Sequence, residues 1–303
     1  MPAIHFQSTI TRTIIFFSLL MSGSLLYSCD SDSGKSFKPP IPGYDESKRK
    51  VFVLDGELLE ISGQTPLSNN MFAGINDEDG HMFIFHPNSS NIQTIPFSDE
   101  GDYEDIVKTD SAFYILEADG DLHEVLVNEG QLHNLKLTSG QLVPSKKYQF
   151  DLAKKVEFEA IVYYSSINKI ILITKDHALA DDAIFAYSFD LHTRRFDPEP
   201  FFEIPMRSVL TKLKDYSAQC KPSSAAIHPI TGKLYILASI GKCILVCTPD
   251  GKVEFAYDLN PDQFQQPEGI SFASNGDMYI SNEGLQGKAT MLLFPYQPGS
   301  VAK

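Results

Sequence analysis

Several familiar catalytic signatures are missing from this chain of 303 residues. It has no Gly-x-Ser-x-Gly elbow, no His-Glu-x-x-His and no glycine-rich phosphate loop ending in lysine. Cysteines number four, with no Cys-x-x-Cys and no histidine-rich tract beside them, so zinc-type ligand spacing is absent too. Basic residues are scarce: 25 Lys and Arg stand against 39 Asp and Glu, a net charge of -14. Such a surface repels phosphate backbones, which argues against nucleic acid as a partner and favours cations or cationic ligands. Helical periodicity is almost lacking, with 209–216 the only segment that reads as a helix. Hydrophobic residues at 43% and charged residues at 21% nonetheless describe a chain able to bury a core, as one large domain or two small ones.

The N-terminus reads as an address. Residues 1–28 carry one basic residue, Arg12, no acid, and an apolar stretch over 14–26 interrupted by Ser18, Ser22, Gly23 and Ser24. Thirteen such residues fall short of the roughly 20 a membrane span needs, so the segment reads as a signal peptide. Leu26-Tyr27-Ser28-Cys29 follows and resembles the lipobox of bacterial lipoproteins, in which the cysteine is acylated and becomes the new N-terminus. An acyl chain on Cys29 would tether the protein to the bilayer without spanning it. Residues 29–47 then form a polar, proline-rich run without hydrophobic period, expected to be a flexible tether ahead of a domain over 48–303. The expected location is the bacterial cell envelope, the outer membrane ahead of the inner, with a monomeric domain in the periplasm or at the surface. Cys220, Cys243 and Cys247 remain beyond the lipobox and allow at most one disulfide. Cys243 and Cys247 lie about 13 Å apart if they share a strand, out of disulfide reach, and read as small core residues.

The rest of the chain repeats itself. The clearest copy runs Pro267-Glu268-Gly269-Ile270-Ser271-Phe272, a turn at Asn275-Gly276, then Met278-Tyr279-Ile280-Ser281-Asn282-Glu283. Related phrases begin at Ser62, Glu104, Glu159 and Ser223, spaced by 42, 55, 64 and 45 residues up to Glu268. Outer strands follow each copy, and Asp79-Gly80, Asp119-Gly120 and Asp250-Gly251 read as tight hairpin turns. Four short strands per unit of about 45 residues is the pattern of a β-propeller blade, whose radial closure hides sheet edges. The fold class is therefore all-β: a single propeller of four-stranded blades, five in number, with a sixth inside the long 159–223 interval as the alternative. The last copy is short of a strand, which residues 51–54 are expected to supply, closing the ring from the N-terminal side.

With these motifs in place the chain resembles the SdiA-regulated, YjiK-like propeller lipoproteins and exported proteins. The resemblance rests on Glu60-Ile61-Ser62-Gly63, Asn76-Asp77-Glu78, Tyr103-Glu104-Asp105-Ile106, Pro222-Ser223 with Ala226-Ile227-His228-Pro229-Ile230-Thr231-Gly232, and Gln266-Pro267-Glu268-Gly269-Ile270 with Ser281-Asn282-Glu283. It covers nearly the whole domain and implies an exported propeller, with calcium association in some members and no settled catalysis.

In a propeller the start of each inner strand and the end of the next strand share one face. This places Ser62, Glu104, Glu159, Ser223 and Glu268 in a ring around one channel mouth, with Asn76, Asp77, Glu117, Lys175, Asn282 and Glu283 on the same rim. The following residues, Gly63, Asp105, Ala160, Ser224 and Gly269, are mostly small, as a crowded axis requires. Converging carboxylates repel unless a proton, Lys175 or a cation compensates, and oxygen-only donors favour calcium over zinc. The alternative is that the glutamates accept hydrogen bonds from neighbouring blades. Asp77-Glu78-Asp79-Gly80 does not make an EF-hand, because Ile75 and His86 occupy liganding positions. His177 is the histidine nearest the rim and the candidate base. The expected function is binding of calcium together with an envelope partner or small ligand; the alternative is a calcium-dependent hydrolase of a phosphoester, lactone or sugar derivative.

Overall fold

The computed structural model describes residues 35–54, 56–127, 132, 142–151, 156–177, 182–215, 217–284 and 287–299. Within them the chain forms a five-bladed β-propeller, and every strand pairing is antiparallel. Blade 1 consists of Ile61–Pro66, Phe72–Asn76, His81–Phe85 and Gln93–Pro96. Blade 2 consists of Tyr103–Lys108, Phe113–Glu117, Leu122–Val125 and Ser145–Tyr148. Blade 3 is built on Val156–Tyr164, Lys169–His177 and Ala183–Asp190, with Arg195–Phe196 and Phe202–Pro205 both pairing with the third strand. Blade 4 comprises Lys221–Ile227, Leu234–Ile240, Cys243–Cys247 and Val253–Leu259. Blade 5 comprises Pro267–Phe272, Met278–Asn282 and Ala289–Phe294, and Lys50–Leu54 pairs with the last of these to complete it. The missing strand thus comes from the N-terminal side, as the repeat pattern required.

The long interval after Glu159 holds no sixth blade. Its length goes into nine-residue inner strands, the split outer edge of blade 3, and the helix Met206–Leu213. That helix begins three residues earlier than the periodicity indicates. Pro205 stands at its start, where a missing N–H is harmless, and Lys214 ends it at φ +57°. No helix among the described residues is long and apolar enough to cross a membrane.

The turn glycines divide by mechanism. Gly120 sits at φ +94°, a left-handed conformation its hairpin requires. Gly80 has no positive φ, contrary to the reading of Asp79-Gly80. It is there because a β-carbon would come within 2.3 Å of the Ser98 carbonyl.

The core is a set of wedges between neighbouring blades. Phe72, Phe83 and Phe85 of blade 1, for instance, pack with Tyr279 and Met291 of blade 5. Cys220, Cys243 and Cys247 are buried free thiols in the wedge between blades 3 and 4, with the Cys220 and Cys243 sulfurs 3.6 Å apart.

One expectation needs correction. The compact unit begins at Lys35, so most of the run read as a tether is part of the domain. Phe37–Lys38 adds a fifth strand to blade 4, Phe37 packs on Phe264 and Phe294, and Tyr44 donates a hydrogen bond to the Gly276 carbonyl at 2.8 Å. Phe37, Ile41 and Tyr44 are buried, but three anchors separated by prolines leave no period to detect. The signal segment and Cys29 lie outside the described residues.

Candidate functional site: an acidic mouth built on five bulges

Each repeat begins at the same structural event. On the inner strand of every blade the pairing with the second strand skips one residue, and these are Ser62, Glu104, Glu159, Ser223 and Glu268; in blades 3 and 4 the second strand skips one as well, Lys175 and Ser239. A β-bulge leaves its extra residue unpaired and re-aims it, so the phrase that recurs in the sequence is a bulge.

The next residue in each blade faces the axis. A β-carbon on Gly63 would lie 2.6 Å from Asp105 Oδ1, so glycine there makes room for a carboxylate. Asp105 is buried and accepts hydrogen bonds from Ile106 N at 2.8 Å, Ile161 N at 3.0 Å, Ser224 Oγ at 3.2 Å and the Ala225 backbone. Ser224 Oγ in turn accepts from Ile270 N at 3.2 Å. This clasp joins blades 2 to 5 across the axis. Burial pushes the Asp105 carboxyl well above the ordinary range, against the pull of its four donors.

On one side of the clasp opens a cavity of about 470 Å³. Ser62, Glu104, Glu159, Glu268, Asp77, Glu283 and Lys175 line it. Glu60, Asp102, Lys221 and Gln266, each two residues before the bulge of its blade, join them, as does Lys242 from the turn after Leu234–Ile240. Lys175 pairs with Glu159 and, at 3.1 Å, with Glu157. Lys221 is engaged with Asp176 at 2.6 Å, and Lys242 donates to the carbonyls of Ser239 and Gln265. Ser239 Oγ donates to Glu268 at 3.1 Å, and Gln266 donates to Glu283.

Acids outnumber cations in the mouth, and the carboxyls respond. Burial, reinforced by Glu159, Asp102 and Glu268, pushes Glu104 up to about 9 despite Lys175. Glu268 is raised to about 7 by burial and by Glu159, and Glu159 to about 6 by burial, with Lys175 holding it back. Glu283 is raised by burial and by Asp77 and Glu60.

Four rim candidates turn away from the cavity. Ser223 donates to the Pro267 carbonyl at 2.8 Å and links blades 4 and 5. Asn76 closes its own hairpin through Asp79. Asn282 donates to Gln263 O and Thr290 Oγ1. Glu117 is bound by His123 at 2.6 Å and Lys147 at 2.7 Å. In each case the residue sits at the right end of its strand but on the blade side of the pleat. His177 pairs with Val156 at a strand end.

Among the described residues, one acidic trio brings its oxygens within 4.8 Å of one another: Glu117, Asp119 and Asp121. Lys147 already bridges Glu117 and Asp121, the latter at 3.1 Å, and Asp121 also accepts from Phe150 N. The trio is thus compensated from within. The mouth glutamates do not converge that tightly, so any cation there would draw them together or reach them through water.

The fold and mouth together define a five-bladed β-propeller with an acidic axial cavity. No protein-family model and no curated protein matches the chain. Among solved structures, a protein of unknown function from Bacteroides thetaiotaomicron aligns at a TM-score of 0.50 with 10% identity, over 77% of this chain. This chain spans 59% of that protein's length. A PQQ-bound aldose sugar dehydrogenase from Streptomyces coelicolor aligns at 0.46 with 9% identity, over 82% of this chain and 99% of that one. A virginiamycin B lyase from Staphylococcus aureus with quinupristin aligns at 0.44 with 12% identity, over 84% and 90%. At such identities the likeness is one of fold alone.

Proposed function

We propose that this protein is an envelope lipoprotein of the SdiA-regulated, YjiK-like kind, anchored through Cys29, whose propeller is a binding module for a cation and a further envelope partner or small ligand. The observation that carries the cation is the mouth: Glu159, buried, and Glu104 and Glu268, partly buried, come from three blades with their carboxyls raised to about 6, 9 and 7. A bound cation relieves that repulsion, and donors that are all oxygen make calcium the first choice. Calcium at a hundredfold its dissociation constant should stabilise the protein by about 2.7 kcal/mol, reversed by chelation. Glu268→Gln should weaken the response while leaving the metal-free protein at least as stable. Melting unchanged by calcium, together with a destabilised Glu268→Gln, would remove the cation from this reading.

The same raised carboxyls favour a second reading, a cation-dependent hydrolase of a phosphoester, lactone or sugar derivative, because a neutral acid beside an ionised one suits proton transfer. Turnover of such compounds with calcium, lost in Glu159→Ala and Glu268→Ala, would replace the binding-only reading. The anchor is decided separately: mass spectrometry of the mature N-terminus should find a diacylated Cys29, and an unmodified chain starting elsewhere would refute it.

A further inference from the structure

The axial clasp divides the channel, and on its far side lies a second cavity of about 710 Å³. Its wall is mixed: Ile106, Val162, Ile270 and Phe272 give it an apolar part, while Lys108 and Asp277 are among the polar residues that complete it. One seam is different. Two positions after each bulge the other four blades carry Ile106, Ile161, Ala225 and Ile270, whereas blade 1 carries Gln64. Gln64 is 2% exposed, lines this cavity, and neither its amide oxygen nor its amide nitrogen has a hydrogen-bond partner. Ser271, facing it from blade 5 and lining the same cavity, is 4% exposed with its hydroxyl unpartnered. Ser281, beside it, is fully buried with its hydroxyl unpartnered as well. A β-carbon on Gly269 would come within 2.9 Å of Gln64 Cγ and 2.4 Å of Ser281 Oγ, so these groups converge on one glycine.

Buried polar groups are almost always satisfied, and an aliphatic residue at position 64 would match the other four blades. Three orphaned polar atoms on residues that line the cavity, two from Gln64 and one from Ser271, therefore call for an occupant that the chain itself does not supply. We propose that this far mouth is a second binding site, for an uncharged ligand that presents a carboxamide on an apolar body.

The chemistry selects that class. The Gln64 amide offers one acceptor and one donor edge, and a second amide presents the complementary pair. A carboxylate would leave the Gln64 oxygen unpaired and approach Asp105. A cation would leave the Gln64 nitrogen unpaired, while the Asp105 oxygens are already taken up by the clasp. The apolar part of the wall then receives the rest of the ligand. This site is independent of the acidic mouth.

The test titrates the full chain with phenylacetamide, N,N-dimethylphenylacetamide and phenylacetate, followed by ligand-detected NMR. Phenylacetamide should bind, and the dimethyl compound, which lacks the N–H, should bind at least about fivefold more weakly. Phenylacetate should bind more weakly still. Gln64→Leu should erase the preference, and Ser271→Ala should reduce it while keeping the fold if the first variant proves unstable. Equal binding of all three compounds, a preference that survives in Gln64→Leu, or no binding at about 10 mM would overturn the proposal. A crystal structure grown with phenylacetamide that shows only ordered water on Gln64 would do the same.

Discussion

The molecule holds two groups of acids on its second blade and around its axis, and they behave oppositely. Glu117, Asp119 and Asp121 crowd together, yet Glu117 is held below the usual carboxylate range: burial would raise it, but His123 and Lys147 outweigh burial. Lys147 is raised in turn by the same two acids, against its own burial. Glu104, Glu159 and Glu268 stand further apart, share essentially one committed cation in Lys175, and are all raised. Closeness of carboxylates is therefore a sign of compensation already present. Unmet demand shows instead as separated acids around a cavity, pushed toward neutrality.

The largest test of this contrast concerns the acid that belongs to neither group. Asp105→Ala strips acceptors from three backbone N–H groups and Ser224, and denaturant unfolding should record a loss of about 3–5 kcal/mol. A loss below about 1 kcal/mol would show that the blades are not clasped at the axis. Next comes the mouth. Its carboxyls have higher pKa values in the folded than in the unfolded chain, so their contribution is fully present below about pH 4.5 and is lost as pH rises through about 6, 7 and 9. Glu104→Gln should therefore stabilise the metal-free protein by roughly 1–3 kcal/mol at pH 8 and by almost nothing at pH 4. Destabilisation at pH 8 would mean that Glu104 serves the fold. The smallest effect belongs to the compensated trio. Lys147→Met should cost about 1 kcal/mol, given that Lys147 is 41% exposed. Because the Glu117 pKa is lowered in the fold, that loss should be present at pH 7 and fade as pH falls below about 4. An unchanged melting curve at pH 7 would make the trio an unfilled site after all.

Much of the ring was legible because it is periodic. The five bulge residues stand at the head of five similar phrases, and the shortfall of one strand in the last phrase points to residues 51–54, within the observed Lys50–Leu54. What escaped the sequence lies just ahead of the repeated phrases or outside them. Glu60 and Asp102 each stand two residues before their blade's bulge, a register the phrases start too late to include, and Lys242 comes from the turn after Leu234–Ile240. Asn76, Glu117 and Asn282 were assigned to the rim from strand position alone, but a strand end fixes height along the axis and leaves the pleat to decide the facing. The axial residues show a further limit. Their small size reads as crowding, yet one of them, Asp105, carries a carboxyl, and Gly63 is small because Asp105 lies against it. Phe37, Ile41 and Tyr44 were hidden among prolines, so a docked segment passed for a tether.

Completion of blade 5 by Lys50–Leu54 also sets the order in which the protein can assemble. Ala289–Phe294 is the last strand described and keeps one open edge until Lys50–Leu54 pairs with it, a contact of very large sequence separation. Four blades can form as their hairpins appear, while ring closure waits for the final strand and should be the slow, aggregation-exposed step of folding. Loss of either Lys50–Leu54 or Ala289–Phe294 would leave an edge permanently open, turning a closed ring into a template for pairing with another copy.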